Sequence, residues 1–193
     1  SGSHAEGRIA AKGAIKFLVD NPGDVNLDAS KFEEVKAEIL KPLKTYEEGK
    51  GYTVTDDITP NYIRPKMFLF RLNKIMDEYA GGTSMWYSTN GPMLQRALEE
   101  LRMLYEDSKF LGASNLHELM RAWENYHRLW TSEAHVRHLM FREETRYPGY
   151  YYRADFKEVL DQENWHVFTI SKWDPATREW SIRKEPVQNW LGL

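Results

Sequence analysis

The 193-residue chain carries 26 basic and 29 acidic side chains, a formal charge of -3, and no cysteine. That length holds one domain with a proper core, or one domain with an appendage, and is too short for a two-domain cofactor enzyme. Interspersed, near-balanced charge gives no reason to expect a nucleic-acid or membrane-surface partner, while the lack of cysteine excludes disulfides, thiolate metal sites and a cysteine nucleophile in this chain and suits a cytoplasmic protein.

The chain opens on SGSH without a methionine, which reads as an expression-tag remnant over residues 1–4 and points to a fragment. Neither a signal peptide nor an apolar run long enough for a membrane span is present. From Glu6 to Asn21, Ile9, Ala10, Ala14, Ile15, Phe17 and Leu18 fall at helical spacing, and Asn21-Pro22-Gly23 ends the pattern. Asp28 to Ser30 can cap a second helix reaching Glu47, with Phe32, Val35, Ile39 and Leu43 on one face and a kink at Pro42. Gly49 to Pro60 is a polar linker. Its GKGYTV is half of a dinucleotide fingerprint, with no strand before it and Val54 where the third glycine belongs, so that reading is set aside.

Past Pro65, the residues Phe68, Leu72, Ile75, Met76 and Tyr79 make a helical core stripe that Gly81-Gly82 terminates. Asn90-Gly91-Pro92 starts another helix with Leu94, Ala97, Leu98, Leu101, Leu104 and Tyr105 on its buried face, ended by Gly112. Ser114 is expected to cap a helix of about thirty residues to Arg146, with Leu116, Leu119, Trp123, Trp130, Ala134 and Phe141 at helical spacing. After Pro148-Gly149 the period shortens, and WHVFTISKW, a turn at Asp174 to Thr177, and Glu179 to Glu185 read as a hairpin. The predicted fold is mainly α: an up-and-down bundle of three long helices, shorter N-terminal helices and a C-terminal β-hairpin.

Catalytic and metal motifs are incomplete. His117-Glu118 begins like a zinc-protease helix, but Arg121 stands at the second ligand position. Glu124 and His127 have the spacing used in di-iron bundles without a second copy, and His135 and His138 can share a face; a metal on these four is kept as a lesser reading than a polar helix face. The densest chemistry is FREETRYPGYYYRADF, Phe141 to Phe156, which packs four tyrosines, three arginines and three carboxylates into an irregular backbone. Arg142, Glu144, Arg146, Arg153 and Asp155 can pair with one another, either as an ion-paired corner or as an interface anchored by arginine and tyrosine.

Three linked motifs are similar to the C-terminal helical domain of the succinate dehydrogenase, fumarate reductase, aspartate oxidase and adenylylsulfate reductase flavoproteins. They are Arg142-Glu143-Glu144-Thr145-Arg146, then Arg153-Ala154-Asp155, then Asp161-Gln162-Glu163-Asn164-Trp165. ETRYPGYYYRADF, LHELMRAWENYHRLWTSEAHVRH, KIMDEYAGG and KWDPATREW resemble the adenylylsulfate reductase alpha-subunit branch. The resemblance implies an FAD enzyme that interconverts adenosine 5'-phosphosulfate with sulfite plus AMP through a flavin–sulfite adduct, paired with an iron–sulfur beta subunit. It also implies that residues 5–22, with GRIAAKGAIKFL, are the last helix of an FAD-binding domain otherwise missing here. Residues 23–59 are then helix and linker, 60–146 the bundle, and 147–193 the aromatic crossing and hairpin. On this reading FAD belongs to the full-length subunit, and no cofactor or metal is expected in this chain. Arg142, Glu144, Arg146, Tyr151, Arg153, Asp155, Asn164 and Trp165 are expected to form a docking and structural set rather than a catalytic one. With its partner domain missing, the exposed aromatic surface of the chain is expected to drive self-association, with the first helix as the route.

Overall fold

A computed structural model describes residues 2–23, 28–52, 60–177 and 179–188. It divides into two compact units, Ser1–Glu38 and Ile39–Leu193. The first holds helix α1 (Gly2–Asp20) and the opening of α2 (Ala29–Gly49). Asn21 closes α1 by donating from both its backbone and its side chain to Phe17 O. Asp28 Oδ1 accepts from the Ser30 N–H at α2. No residue of α1 is buried, and Ile9, Ile15, Phe17, Leu18 and Val19 stand exposed, as do Phe32 and Val35 on α2.

In the second unit, α3 (Pro65–Tyr79), α4 (Gly91–Asp107) and α5 (Leu116–Phe141) pack against one another as the three helices of the bundle, while α1 and α2, expected to be shorter, are 19 and 21 residues against 15 and 17 for α3 and α4. Apolar spacing near 3.6 gives each a stripe, and Phe68, Leu72, Ile75, Leu94, Ala97, Leu101, Leu104, Leu129, Val136 and Leu139 form one core. Side-chain bonds to backbone carbonyls then tie the elements together, only that of Asn125 being fully buried. Asn125 donates to Pro65 O at 2.7 Å, Tyr126 OH to Ser108 O at 2.9 Å, and Trp123 Nε1 to Ile39 O at 2.9 Å. Pro42 sits inside α2, buried, with its carbonyl accepting from Ala113 N–H.

Several boundaries differ from the sequence expectation. Helix α4 stops at Asp107 and a 3₁₀ turn, Ser108–Phe110, follows, because Ser108 Oγ bonds the Tyr105 carbonyl and ends the ladder before Gly112. Gly112 instead lies against Tyr62, whose ring atoms would be only 2.6 Å from a Cβ there. Asn115, not Ser114, caps α5: its Oδ1 accepts from Glu118 N–H, while the Glu118 carboxylate accepts from Ser114 N–H and Oγ, a reciprocal box. α5 ends at Phe141 rather than Arg146. Its buried face is Leu119, Ala122, Asn125, Leu129, Val136 and Leu139, whereas Trp130 and Leu116 are exposed and Trp123 sits at the flank. Tyr105 is likewise half exposed.

Between α3 and α4, Gly81 (φ 81°) turns the chain, and Asp77 accepts from Ser84 N–H, Ser84 Oγ and Thr83 Oγ1. Trp86 and Tyr87 follow with φ of 51° and 58°, left-handed conformations unfavourable for bulky side chains. They lead into the short strand β1 (Ser88–Thr89), which pairs in parallel with β2 (Tyr152–Arg153). A short helix α6 (Gln162–Trp165) precedes the hairpin of β3 (Val167–Asp174) and β4 (Glu179–Pro186). Strand β3 therefore starts two residues later than expected, because Asp161 caps α6. The part of the expected linker at residues 53–59 lies outside the described residues. No described helix is long and apolar enough to cross a membrane.

A Cβ on Gly82 would overlap both the Cα and Oδ1 of Asp77. Gly82→Ala must displace the carboxylate that holds this loop, and is expected to destabilise the chain by about 1–3 kcal/mol in urea unfolding; an unchanged midpoint would contradict the packing described.

A buried charge crossing as the candidate site

Five charged side chains of the 141–156 stretch meet where α5 ends. Glu144 is fully buried; its Oε1 accepts from Arg142 Nη1 at 2.9 Å and Arg146 Nε at 2.6 Å, and its Oε2 from Asp161 N–H at 2.6 Å. Arg142 also donates to the Trp165 and Val167 carbonyls, and Arg146 to the Asp161 carbonyl. One carboxylate thus gathers the end of α5, the cap of α6 and the first residue of β3.

Arg153 does the same for a second junction. Only 3% exposed, it donates from Nη1 to the carbonyls of Leu139, Met140 and Arg142, the last turn of α5. Its Nε and Nη2 make a fork to Asp155, each bond 3.0 Å. Asp155 Oδ2 in turn accepts from Gly91 N–H at 2.8 Å, at the first residue of α4. A cation on the negative end of one helix dipole and an anion on the positive end of another are joined by a two-bonded ion pair. Burial pushes the Asp155 carboxyl up, but Arg153 and the Gly91 N–H outweigh it and hold it below the ordinary value. Asn90 Oδ1 completes the α4 cap through Met93 N–H.

The remaining expected residues take different places. Trp165 is buried, edge-on to Phe141 at 5.9 Å, with Lys184 Nζ 3.4 Å and Arg142 5.3 Å from its ring. Tyr151 is half-buried against the core, and burial raises its phenol above the ordinary value. Asn164 is exposed; its amide donates to Asp161 and its carbonyl accepts from Lys184. Sequence reading missed Thr145, Asp161 and Gly91. Thr145 Oγ1 accepts from Arg153 N–H, and its backbone pairs with Glu158 and Leu160. Around this centre Tyr147, Tyr150 (80% exposed), Tyr152 and Trp86 (85% exposed) face outward, and Tyr152 N–H donates to Tyr87 O.

Glu124 is engaged by Arg121 and Arg128, His138 by Thr169 Oγ1 at 2.8 Å, and no group of three or more His, Asp or Glu gathers for a metal among the described residues. The glycine-rich turn between strand and helix that seats a dinucleotide phosphate in doubly-wound folds is not formed among the described residues, whose strands are a two-residue parallel pair and a hairpin. What the crossing can do is orient: three guanidiniums and two carboxylates fix helix ends and leave the phenols outside.

Two outcomes follow. Glu144→Gln leaves two partly buried guanidiniums without their counter-charge and is expected to cost about 2–4 kcal/mol, read as a fall in the urea midpoint; a loss under about 1 kcal/mol would show that the pairs are not coupled. Burial, then Arg142, holds His138 below the ordinary histidine value. Such a base is neutral in the fold, so its stabilisation is complete above pH about 6.5 and is lost as pH falls below it. Thermal stability should drop between pH 7 and 5, and His138→Gln should flatten that slope.

Comparison with known proteins agrees with this architecture. The chain is 47% identical over 186 residues to the adenylylsulfate reductase subunit alpha of Megalodesulfovibrio gigas, covering 96% of this chain and 28% of that protein. It superposes with a TM-score of 0.94 and 48% identity on a solved adenosine-5-phosphosulfate reductase in complex with sulfite, covering all of this chain and 30% of that one. Mycobacterium smegmatis Sdh1, at 16% identity and a TM-score of 0.65 over 92% of this chain and 27% of its own, shares the fold. The chain thus spans under a third of the length of these relatives. A family model described as the fumarate reductase flavoprotein C-term matches residues 71–190, a range that holds most of α3, all of α4 and α5, the charged crossing and the hairpin, and the chain belongs to the fumarate reductase flavoprotein C-terminal family.

Proposed function

We propose that this chain is the C-terminal part of an adenylylsulfate reductase alpha subunit, and that its role is to support packing rather than chemistry. The observation that carries the reading is near-half identity, with a TM-score of 0.94, along the whole chain to a reductase of that activity, against 16% identity to Sdh1. In the whole subunit FAD would sit in a separate domain, and the enzyme would interconvert adenosine 5'-phosphosulfate with sulfite plus AMP in the cytoplasm. An iron–sulfur beta subunit would be its electron partner. Residues 5–22 would be the last helix of the FAD-binding domain, and residues 60–146 with 147–193 the unit that packs on it.

Within that role, Arg142, Glu144, Arg146, Arg153, Asp155 and Trp165 hold the crossing rigid, with Tyr151 and Asn164 at its margin. The outward Tyr147, Tyr150, Tyr152 and Trp86 supply the contact surface. Their exposure supports this, since tyrosine and tryptophan are the usual anchors of interfaces. Without that neighbour, the apolar residues of α1 would favour self-association.

The test is a complete alpha–beta complex built from the reading frame that contains this chain, assayed for AMP-dependent sulfite oxidation. Activity is expected in the complex, and Trp86→Ala with Tyr150→Ala should weaken subunit or domain association about tenfold or more while leaving the melting of this chain unchanged. A complex indifferent to both substitutions would overturn the docking role. A complex that oxidises succinate and not sulfite would overturn the reductase reading.

A further inference from the structure

Asn90-Gly91 is the single Asn-Gly pair in the chain. Asparagine is thermolabile, and most so before glycine, because the glycine nitrogen can attack the asparagine side chain with no Cβ in the way. Both residues are half-buried rather than sealed off, so water reaches them.

Two features keep the pair unreactive in the fold. The five-membered ring closes only when Asn90 Cβ and the Gly91 nitrogen eclipse one another, at an Asn90 ψ of about -120° that lies outside the main allowed wells. Asn90 is instead extended, with φ of -148° and ψ of 172°, and its Oδ1 is held by Met93 N–H at 2.9 Å. The Gly91 N–H is held as well, donating to Asp155 Oδ2 at 2.8 Å. A carboxylate there opposes loss of that proton, since the nitrogen anion would face a second negative charge. Burial pushes the Asp155 carboxyl up, but Arg153 and the Gly91 N–H hold it below the ordinary value, so it is too weak a base to take the proton itself. The glycine serves the same contact. A Cβ at position 91 would stand 3.3 Å from Asp155 Oδ2, so the residue that lets Asp155 approach also leaves the pair labile once Asp155 withdraws.

We propose that Asn90 is a latent modification site that the Arg153–Asp155 pair keeps closed, and that opening of the crossing exposes it to irreversible deamidation. With Asp155 withdrawn, the Gly91 nitrogen gives its proton to hydroxide and bonds to Asn90 Cγ. The Cγ–Nδ2 bond breaks, and ammonia leaves with a proton from water, regenerating hydroxide. Water then opens the succinimide at either carbonyl, giving aspartate or isoaspartate. Isoaspartate lengthens the backbone by a methylene and sets a new carboxylate beside Asp155, so the Gly91 N–H cannot return to its acceptor. An opened crossing is thereby marked and prevented from closing. This site rests on the geometry of the crossing and not on the reductase reading.

The test follows the Asn90 amide by peptide mass in the intact chain, in mildly alkaline buffer, beside the same chain unfolded in urea. The folded chain is expected to convert at least about tenfold more slowly than the unfolded one. Across urea concentrations below the unfolding midpoint, the conversion rate and the amide exchange of Gly91 should rise in the same proportion. Arg153→Lys keeps the charge but cannot make the fork, and should speed conversion at least about fivefold. Equal rates in the folded and unfolded chain overturn the proposal. So does a conversion rate that stays constant while Gly91 exchange rises, or one that a folded Arg153→Lys chain leaves unchanged. The first two readings use the unaltered chain and decide the matter even if Arg153→Lys misfolds.

Discussion

The second unit depends on one ion pair placed between two helix ends. Arg153 takes the last carbonyls of α5, Asp155 takes the first amide of α4, and their fork joins the two. A helix end leaves several backbone groups without partners, and burying them unpaired costs more than most single contacts return. Here a single R-x-D tripeptide serves both ends, which is why the chain can leave α5 abruptly and still hold α4 beside it. The parallel pairing of β1 with β2 follows from the same placement, since Arg153 is itself a β2 residue.

Glu144 adds a second tie of the same kind. Three arginines face two carboxylates, an excess of one positive charge in a place with little water. The balance comes from backbone: the Leu139, Met140 and Arg142 carbonyls on Arg153, those of Trp165 and Val167 on Arg142, and that of Asp161 on Arg146. Buried ion pairs contribute little net stability against an apolar core of the same volume, but removing one partner is expensive. The network is thus better understood as fixing one geometry than as adding strength. That geometry turns the phenols of Tyr147 and Tyr150 outward.

Much of this was legible in the sequence, and the rest was hidden for physical reasons. The R-x-E-x-R run announced Arg142, Glu144 and Arg146 because paired charges near a helix end must satisfy one another. The bond from Gly91 to Asp155 spans 64 positions, and no local pattern carries such a link. The spacing of α5 was legible, but its rotation was not. Trp123 and Trp130 were placed on the apolar stripe by their spacing, yet an indole needs an acceptor, and Trp123 finds one on Ile39 O at the flank while Leu129, Val136 and Leu139 fill the centre. Ser114 was expected to cap α5; Asn115 does so, and Ser114 is held instead by the Glu118 carboxylate. The left-handed Trp86 and Tyr87 gave no signal, because aromatic residues are seldom placed there and the surrounding loop imposes it.

The most direct measurement is residue-resolved amide exchange of Gly91, Arg153 and Asp161, whose N–H groups donate to Asp155, Thr145 and Glu144. If the crossing holds the helix ends as described, all three exchange as slowly as the central amides of α5, opening only with the whole unit. Fast exchange at any of them, with α5 still protected, would mean that the charges meet without holding the fold and would contradict the account.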